Sequence, residues 1–162
     1  MPKTPIVVRN VSESDLEQLQ QLWNEQYDYH YEIQPEYYDL SSPVLRQFWI
    51  AYLAEELANP ETGFLIAEEK DKIIGFLRYR ISKEKVYSGA ITVRGEIEDV
   101  FVRGPVRCKG VGAQLLQQAE ENMRANGVQS MKIQCSMNNP KAVRFYERAG
   151  YQMMQVLLFK LL

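Results

Sequence analysis

The chain has 162 residues, of which 46% are hydrophobic and 25% charged, and its formal net charge is −2. This composition predicts one globular domain spanning residues 1–162. The slightly acidic balance argues against a nucleic-acid-binding protein, and no apolar run approaches the roughly 18 residues of a membrane span. The N-terminus shows no signal-peptide core and the two cysteines form no disulfide framework, so we expect a cytoplasmic protein.

The first half of the chain predicts a strand, two helices and a hairpin. Residues 6–9 are the first strand, and Ser12 or Ser14 is a suitable N-cap for a helix that ends before Pro35. The apolar stripe of this helix is Leu16, Leu19, Trp23 and Tyr27. A Ser-Pro pair at positions 42–43 predicts the start of the second helix, and an Asn-Pro pair at 59–60 its end. Residues 64–68 and 73–81 then predict an antiparallel hairpin.

The second half predicts alternating strands and helices. A long strand covers residues 90–102, a helix residues 110–126, a strand residues 131–135, a short helix about residues 139–150, and a last strand residues 152–161. The passage from strand to helix to strand around residue 110 requires a crossover, and therefore a parallel pair. The sequence thus predicts an α/β (α+β) protein with a mixed, mostly antiparallel sheet flanked by helices.

A glycine-bearing loop lies between the long strand and the following helix, with the sequence Arg-Cys-Lys-Gly-Val-Gly at residues 107–112. The N–H groups and dipole of a helix N-terminus bind phosphate oxygens, and Gly110 and Gly112 permit close backbone approach. Arg107 and Lys109 add positive charge, so the loop suits a pyrophosphate; ordinary packing is the alternative interpretation. Position 115 is Leu, and no Walker A ending is present, which argues against dinucleotide and ATP sites.

A second segment, residues 139–151, reads Asn-Pro-Lys-Ala-Val-Arg-Phe-Tyr-Glu-Arg-Ala-Gly-Tyr. As plain structure it is a capped helix with a packed Tyr146. Together the two segments resemble the signatures of the GNAT superfamily of acetyl-coenzyme A-dependent N-acetyltransferases. The first signature, Arg/Gln-x-x-Gly-x-Gly/Ala after a strand ending in Val, matches at Val102, Arg107, Gly110 and Gly112. The second, Asn-x-x-Ala-x-x-Phe-Tyr-x-x-x-Gly-Phe/Tyr, matches at Asn139, Ala142, Phe145, Tyr146, Gly150 and Tyr151.

This resemblance implies a GNAT fold whose sheet splays between the fourth and fifth strands, with acetyl-coenzyme A held in the split and coenzyme A as product. A bulged fourth strand would bind the pantetheine arm through Val100, Phe101 and Val102. Asn139 would contact the cofactor from the other side, and Tyr146 would protonate the departing thiolate. The pyrophosphate would be held by the backbone of Arg107, Cys108, Lys109, Gly110, Val111, Gly112 and Ala113. The sequence departs from the family at Gly104, where Pro is common, and at Cys108, where Gly is common.

Acidic residues precede the end of the fourth strand, at Glu96, Glu98 and Asp99. We predict that Glu98 accepts the proton of the substrate ammonium, with Glu96 and Asp99 as alternatives and an exposed strand end as the non-functional interpretation. His30 is the only histidine, so the sequence contains neither a catalytic triad nor a zinc site, and we predict no metal. The amine would attack the thioester directly in a ternary complex, without an acyl-enzyme.

Residues 25–39 contain five acids and five tyrosines but no Lys or Arg. In the resembling family this region borders the acceptor pocket, and acids with aromatic rings attract cations. The predicted substrate contacts are Tyr27, Asp28, Tyr31, Glu32, Glu98 and Asp99. The alternative is a solvated acidic face whose tyrosines pack on the core or on a partner subunit, which leaves a homodimer open.

We therefore expect a cytoplasmic acyltransferase that acetylates a small cationic primary amine, such as a polyamine or an amino-sugar, without a nucleic-acid or membrane partner. Two alternatives remain. One is acetylation of a protein N-terminus or lysine, and the other is an inactive acyl-coenzyme A-binding module.

Overall fold

The computed structural model describes residues 5–38, 48–85, 88, 90–158 and 160. The predicted helix start at residues 42–43 lies outside them. The strands are β1 (Val7–Asn10), β2 (Thr62–Glu69), β3 (Lys72–Lys85), β4 (Ile91–Val102) and β5 (Ser130–Ile133). The helices are α1 (Leu16–Ile33), α2 (Trp49–Ala58), α3 (Val111–Ala125) and α4 (Pro140–Arg148). Short 3-10 turns precede α1 (Glu13–Asp15) and follow β4 (Gly104–Val106). None of the described helices is both long and apolar enough to cross a membrane.

The strands form one mixed sheet in the order β1-β2-β3-β4-β5. The first three neighbouring pairs are antiparallel and β4 pairs with β5 in parallel, which confirms the predicted sheet with its flanking helices. The parallel pairing joins only Arg94–Ile97 of β4 to Ser130–Ile133 of β5. Beyond Ile97 the two strands separate, so the predicted splay between the fourth and fifth strands is also confirmed.

A capping box precedes α1, and it is formed two residues earlier than the Ser14–Glu17 spacing suggested. The backbone N–H of Ser12 donates to the Asp15 carboxylate (2.8 Å), and the Ser12 hydroxyl donates to the same oxygen (2.7 Å). Arg9 holds Asp15 from β1 at 2.8 Å, which ties the first strand to the start of the helix. The 3-10 turn at Glu13–Asp15 then leads directly into α1.

Apolar side chains cover both faces of the sheet. On one face α3 packs on the strands through Val111, Leu115, Leu116, Ala119 and Met123, which contact Leu65, Leu77 and Ile97. On the other face α1 and α2 contribute Leu19, Leu22 and Leu53, which pack on Phe64, Ile66, Phe76 and Phe101. Successive side chains of a strand point to opposite faces, so the continuous apolar runs of β2 and β3 serve both cores.

The predicted last strand at residues 152–161 is wrong for the residues that the structure describes. Residues 152–158 and 160 follow α4 without strand structure. Met154 is 86% exposed and Leu158 89% exposed. Strand propensity reflects packing against a neighbouring strand, and in the described part of this chain the segment pairs with none, so its apolar composition alone does not make it a strand.

Candidate active site

The separation of β4 from β5 opens a cleft of about 1710 Å³. The end of β4, the start of α3, β5, α4 and the inner side of α1 contribute its walls. A gap between parallel strands is a common ligand site, because it exposes backbone groups that a continuous sheet would pair. Most of the residues predicted from the two signature segments lie along this cleft.

The start of α3 forms one end of the cleft. Gly110, the N-cap residue, has φ +84°, and Cys108 two residues earlier has φ +64°. Gly110, Val111, Gly112 and Ala113 all line the cleft. The first N–H groups of a helix have no partner within the helix. A Cβ at Gly112 would lie 3.4 Å from the Phe145 ring, which is ordinary van der Waals contact, so α3 and α4 are close neighbours at this point.

The two basic residues of the loop are placed differently. The Arg107 guanidinium lies 4.3 Å from the Tyr29 ring centroid, and its Nε donates to the Val102 carbonyl at 2.7 Å. The side chain of Arg107 therefore fastens the loop to α1 and β4. Lys109 is exposed and lies outside the cleft lining. Any contribution of the loop to anion binding thus comes chiefly from the backbone and the helix dipole.

A β-bulge interrupts the pairing of β3 with β4. Arg78 pairs with Asp99 and Tyr79 with Ile97, so Glu98 is the extra residue. The bulge lies two residues before the position expected from the family resemblance. Past it, Val100–Val102 line the cleft and lie beyond the stretch of β4 that pairs with β5.

Tyr146 and Asn139 face the cleft from α4. Tyr146 is 9% exposed, and burial raises its pKa, with smaller contributions from Cys135, Tyr151 and Asp99. Its hydroxyl therefore keeps its proton at neutral pH. The Asn139 side-chain oxygen accepts a hydrogen bond from the Ala142 N–H (3.2 Å) as the N-cap of α4. This cap does not use the amide NH₂ group of Asn139.

The carboxylates of the bulge face α1 and α2 and are held by arginines of β3. Arg78 Nη1 lies 2.7 Å from Glu98 Oε2, and Arg78 Nη2 lies 2.7 Å from Asp99 Oδ2. Arg80 Nε donates to Glu98 Oε1 at 3.1 Å. Glu56 of α2 pairs with both arginines. Glu98 and Asp99 line the cleft, whereas Glu96 pairs with Lys132 of β5 at 3.1 Å.

The inner face of α1 supplies the remaining wall. Tyr27 lines the cleft and donates to the Tyr38 carbonyl at 2.7 Å, and the His30 ring stacks on the Tyr38 ring with centroids 5.2 Å apart. Burial lowers the pKa of His30; Asp99 opposes this shift and Arg107 adds to it. Of the predicted substrate residues, Tyr27, Glu98 and Asp99 reach the cleft. The others are exposed on α1 and lie outside the cleft lining: Asp28, Tyr31 and Glu32.

Several residues of the site were not selected from the sequence. Gln26 is buried on α1 and its amide donates to Asp99 Oδ1 at 3.1 Å. It lies four residues after Leu22 and four before His30, so helical spacing could have placed it on the inner face. Arg78 interrupts the apolar run of β3, and an arginine within such a run is a signal for buried carboxylate partners. Among the described residues, no group of three or more His, Cys, Asp or Glu side chains is arranged to hold a metal.

The profile of the Acetyltransferase (GNAT) family matches residues 16–151. The chain is 34% identical over 102 residues to the uncharacterised N-acetyltransferase YhfO of Bacillus subtilis, which covers 63% of this chain and 66% of that protein. It is 28% identical over 99 residues to an aminoalkylphosphonate N-acetyltransferase of Salmonella typhimurium, covering 61% of this chain and 62% of that protein. The chain thus spans just under two thirds of the length of these curated relatives.

A solved structure shares the fold over nearly the whole chain. The aminoglycoside N-acetyltransferase AAC(6')-Iy in complex with CoA superposes with a TM-score of 0.77 at 19% identity. The match covers 98% of this chain and 95% of that one. At this identity the likeness establishes the fold alone.

Proposed function

The chain belongs to the acetyltransferase (GNAT) family, and from this membership we propose that it transfers an acetyl group from acetyl-coenzyme A to a primary amine. The observation that carries the proposal is the cleft at the splay. It joins a helix N-terminus suited to phosphate, the buried hydroxyl of Tyr146, and the carboxylates of Glu98 and Asp99. We assign them the roles of an anion site, a general acid and two candidate bases within one cavity.

The residues present fit coenzyme A. The first turn of α3, from Val111 to Ala113, lines the cleft and offers backbone N–H groups for the pyrophosphate. The edge of β4 at Val100–Val102 and the amide NH₂ of Asn139 are the proposed contacts for the pantetheine arm. When bound, acetyl-coenzyme A supplies an acetyl group already activated as a thioester.

Two proton movements fall to side chains of this chain. We assign to Tyr146 the donation of a proton from its hydroxyl to the departing thiolate, because burial keeps that hydroxyl protonated. The carboxylates of Glu98 and Asp99 receive the proton that the acceptor ammonium must lose before it attacks. Glu98 is the proton-accepting base predicted from the sequence, and Asp99, which also lines the cleft, is the alternative base.

The transfer is proposed to be direct, within a ternary complex. Burial raises the pKa of the Cys135 thiol, which disfavours the thiolate that an acyl-enzyme would need. Cys108 lies in the loop before α3. Both cysteines are free, which supports the proposed reducing, cytoplasmic setting.

We propose a small cationic amine as the acceptor, of polyamine or amino-sugar type. Its support is the aromatic and acidic wall formed by Tyr27, Tyr38 and Asp99, because such surfaces attract cations. Relatives and structural neighbours named for aminoalkylphosphonate and aminoglycoside acetylation agree with a small-molecule amine.

The test is release of free thiol from acetyl-coenzyme A over a panel of spermidine, sisomicin, 2-aminoethylphosphonate and lysine-containing or free N-terminal peptides, with mass spectrometry of the products. We expect a single acetyl group on one of the small amines. Preference for a peptide would favour the protein-acceptor alternative. Coenzyme A binding without turnover of any amine would leave an inactive acyl-coenzyme A-binding module.

A further inference from the structure

A buried cluster of charged side chains lies behind the carboxylates of the cleft. At its centre is Arg78, which is 7% exposed although it lies in the middle of β3. Its guanidinium contacts the carboxylates of Glu56, Glu98 and Asp99. It also lies 5.6 Å from the ring centroids of Trp23 and Tyr52. Burying a guanidinium is costly unless carboxylate partners and further hydrogen bonds compensate for its lost hydration.

The cluster contains more negative than positive charge. Arg78 and Arg80 face three carboxylates, those of Glu56, Glu98 and Asp99. Pairing each arginine with one carboxylate leaves one negative charge without a matching cation in the cluster. Excess negative charge on the wall of a cleft attracts a cation from solution. A substrate ammonium group has the charge that would complete the cluster.

The ion pairs indicate which carboxylate receives that ammonium. Glu98 Oε1 accepts from Arg80 Nε at 3.1 Å, and Glu98 Oε2 lies 2.7 Å from Arg78 Nη1 as an ion pair, although among the described residues it accepts no hydrogen bond. Asp99 meets a guanidinium only through Oδ2, while Oδ1 accepts from the uncharged amide of Gln26 at 3.1 Å. Of the four oxygens of Glu98 and Asp99, Asp99 Oδ1 is therefore the one that no guanidinium of the cluster neutralises, and it can accept from a further cation beside Gln26.

Asp99 also faces the other functional groups of the cleft. Its charge contributes to the raised pKa values of Tyr38 and Tyr146 and opposes the lowering of the His30 pKa. Tyr38 follows α1, Tyr146 lies on α4 and His30 on α1, and all three line the cleft. Asp99 thus lies within electrostatic reach of His30 and Tyr38, on the side proposed for the acceptor amine, and of Tyr146, the proposed acid.

We infer that Arg78 is a positioning residue for the acceptor amine: its guanidinium fixes the two carboxylates of the bulge so that Asp99, rather than Glu98, receives the substrate ammonium. This inference rests on the proposed function and specifies its acceptor site. Arg78 itself does not contact the substrate. Its guanidinium and that of Arg80 hold the Glu98 carboxylate between them. The same Arg78 guanidinium holds Asp99 Oδ2, which leaves Asp99 Oδ1 beside the Gln26 amide.

The test compares Arg78→Met with Arg80→Met, a matched loss of a guanidinium from the same strand and cluster. Arg80 touches Glu56 and Glu98 but makes no ion pair with Asp99. We expect Arg78→Met to lower kcat/KM by about 100-fold for the amine that the wild type turns over fastest, because small misplacements of reacting groups cost this much. Arg80→Met should lower it by less than about fivefold. Arg78→Lys should recover part of the loss, and calorimetry should show unchanged coenzyme A affinity in all three.

Two further variants separate positioning from folding. Arg78→Met leaves buried carboxylates unpaired, so Arg78→Met/Glu56→Gln removes one cation and one carboxylate together and restores the charge balance. We expect it to melt close to the wild type while remaining as inactive as Arg78→Met. Asp99→Asn should raise KM for the amine more than Glu98→Gln does.

Each result decides between the interpretations. If the charge-balanced double variant regains activity, or if Arg78→Met stays within about threefold of the wild type, Arg78 is only a structural clamp and the inference is overturned while the proposed function stands. If Glu98→Gln raises KM more than Asp99→Asn, the ammonium is received at Glu98. If the wild type acetylates no amine at all, the proposed function fails first, and the inference that rests on it fails with it.

Discussion

Tyr146 combines burial with a position on the cleft wall, and its raised pKa keeps the hydroxyl protonated at neutral pH, as the proposed proton donation requires. Tyr146→Phe keeps the ring that packs against Phe145 and Tyr151 and removes only the proton. We expect kcat to fall by about 100-fold, the usual effect of losing a general acid. Coenzyme A affinity measured by calorimetry should stay within about twofold. Wild-type turnover in this variant would mean that the thiolate leaves without help from Tyr146.

His30 provides a pH test at the scale of one side chain. Its imidazole is partly buried beside the rings of Tyr29 and Tyr38, and this burial lowers its pKa in the folded protein; the charge of Asp99 opposes the shift and that of Arg107 adds to it. In the unfolded chain the imidazole binds a proton near the ordinary histidine pKa of about 6.5, whereas in the folded protein it is still neutral at that pH. Stability should therefore fall as the pH drops below about 6.5.

The measurement is the thermal midpoint at pH 7.5 and pH 5.5 for the wild type and His30→Asn. The wild type should lose more of its thermal stability between these two values than the variant does, because only the wild type has the histidine that the fold keeps neutral. Equal losses in the two proteins would show that His30 titrates in the folded state as it does in the unfolded one.

At the scale of an element, the start of α3 contains two glycines, and we expect substitutions at them to have different effects. Gly110 has φ +84°, so Gly110→Ala should destabilise the protein by about 1–2 kcal/mol through backbone strain. Gly112 has no positive φ to accommodate, and a Cβ there would lie 3.4 Å from the Phe145 ring, so a larger side chain is pressed against the wall of the cleft. Gly112→Asp places a negative charge where the pyrophosphate is proposed to bind.

We therefore expect Gly112→Asp to weaken coenzyme A binding by well over tenfold, which is about 1.4 kcal/mol. Gly110→Ala serves as the comparison, because its main effect is on the denaturation midpoint. Calorimetric titration and chemical denaturation of both variants separate the two effects. Unchanged affinity in folded Gly112→Asp would remove this helix from the cofactor site.

At the scale of the whole molecule, local sequence signals account for most of the fold but only part of the site. The glycines of the loop and the capped segment at Asn139 predict where α3 and α4 begin, because these signals act within a few residues. The partners of Glu98 and Asp99 were not predictable in this way, since Arg78 and Glu56 come from separate elements that only the folded chain brings together.

The segment of residues 25–39, predicted to border the acceptor pocket, illustrates the same limit. Composition alone marks residues 25–39 as acidic and aromatic, but the helix divides them between two faces. Tyr27 and His30 turn inward, while Asp28 and Glu32 remain exposed. The predicted last strand was wrong for a related reason: a run of strand-forming residues is a strand only where a neighbouring edge accepts its hydrogen bonds.

The short parallel pairing of β4 with β5 has a consequence for the time course of amide hydrogen exchange. β3 and β4 share a ladder from Gly75–Val102 to Lys85–Ile91, whereas β5 is joined to the sheet over only four residues. The unit made of β5 and α4 should therefore open locally without unfolding the rest, and its amides should exchange deuterium sooner than those of β3.

A ligand that bridges α3 and α4 would hold this unit closed, so saturating coenzyme A should slow exchange in β5 and α4 far more than in β3. Mass spectrometry of peptides from the two regions measures this difference, and equal protection of β3 and β5 in the free protein would show that the cleft walls form one cooperative unit.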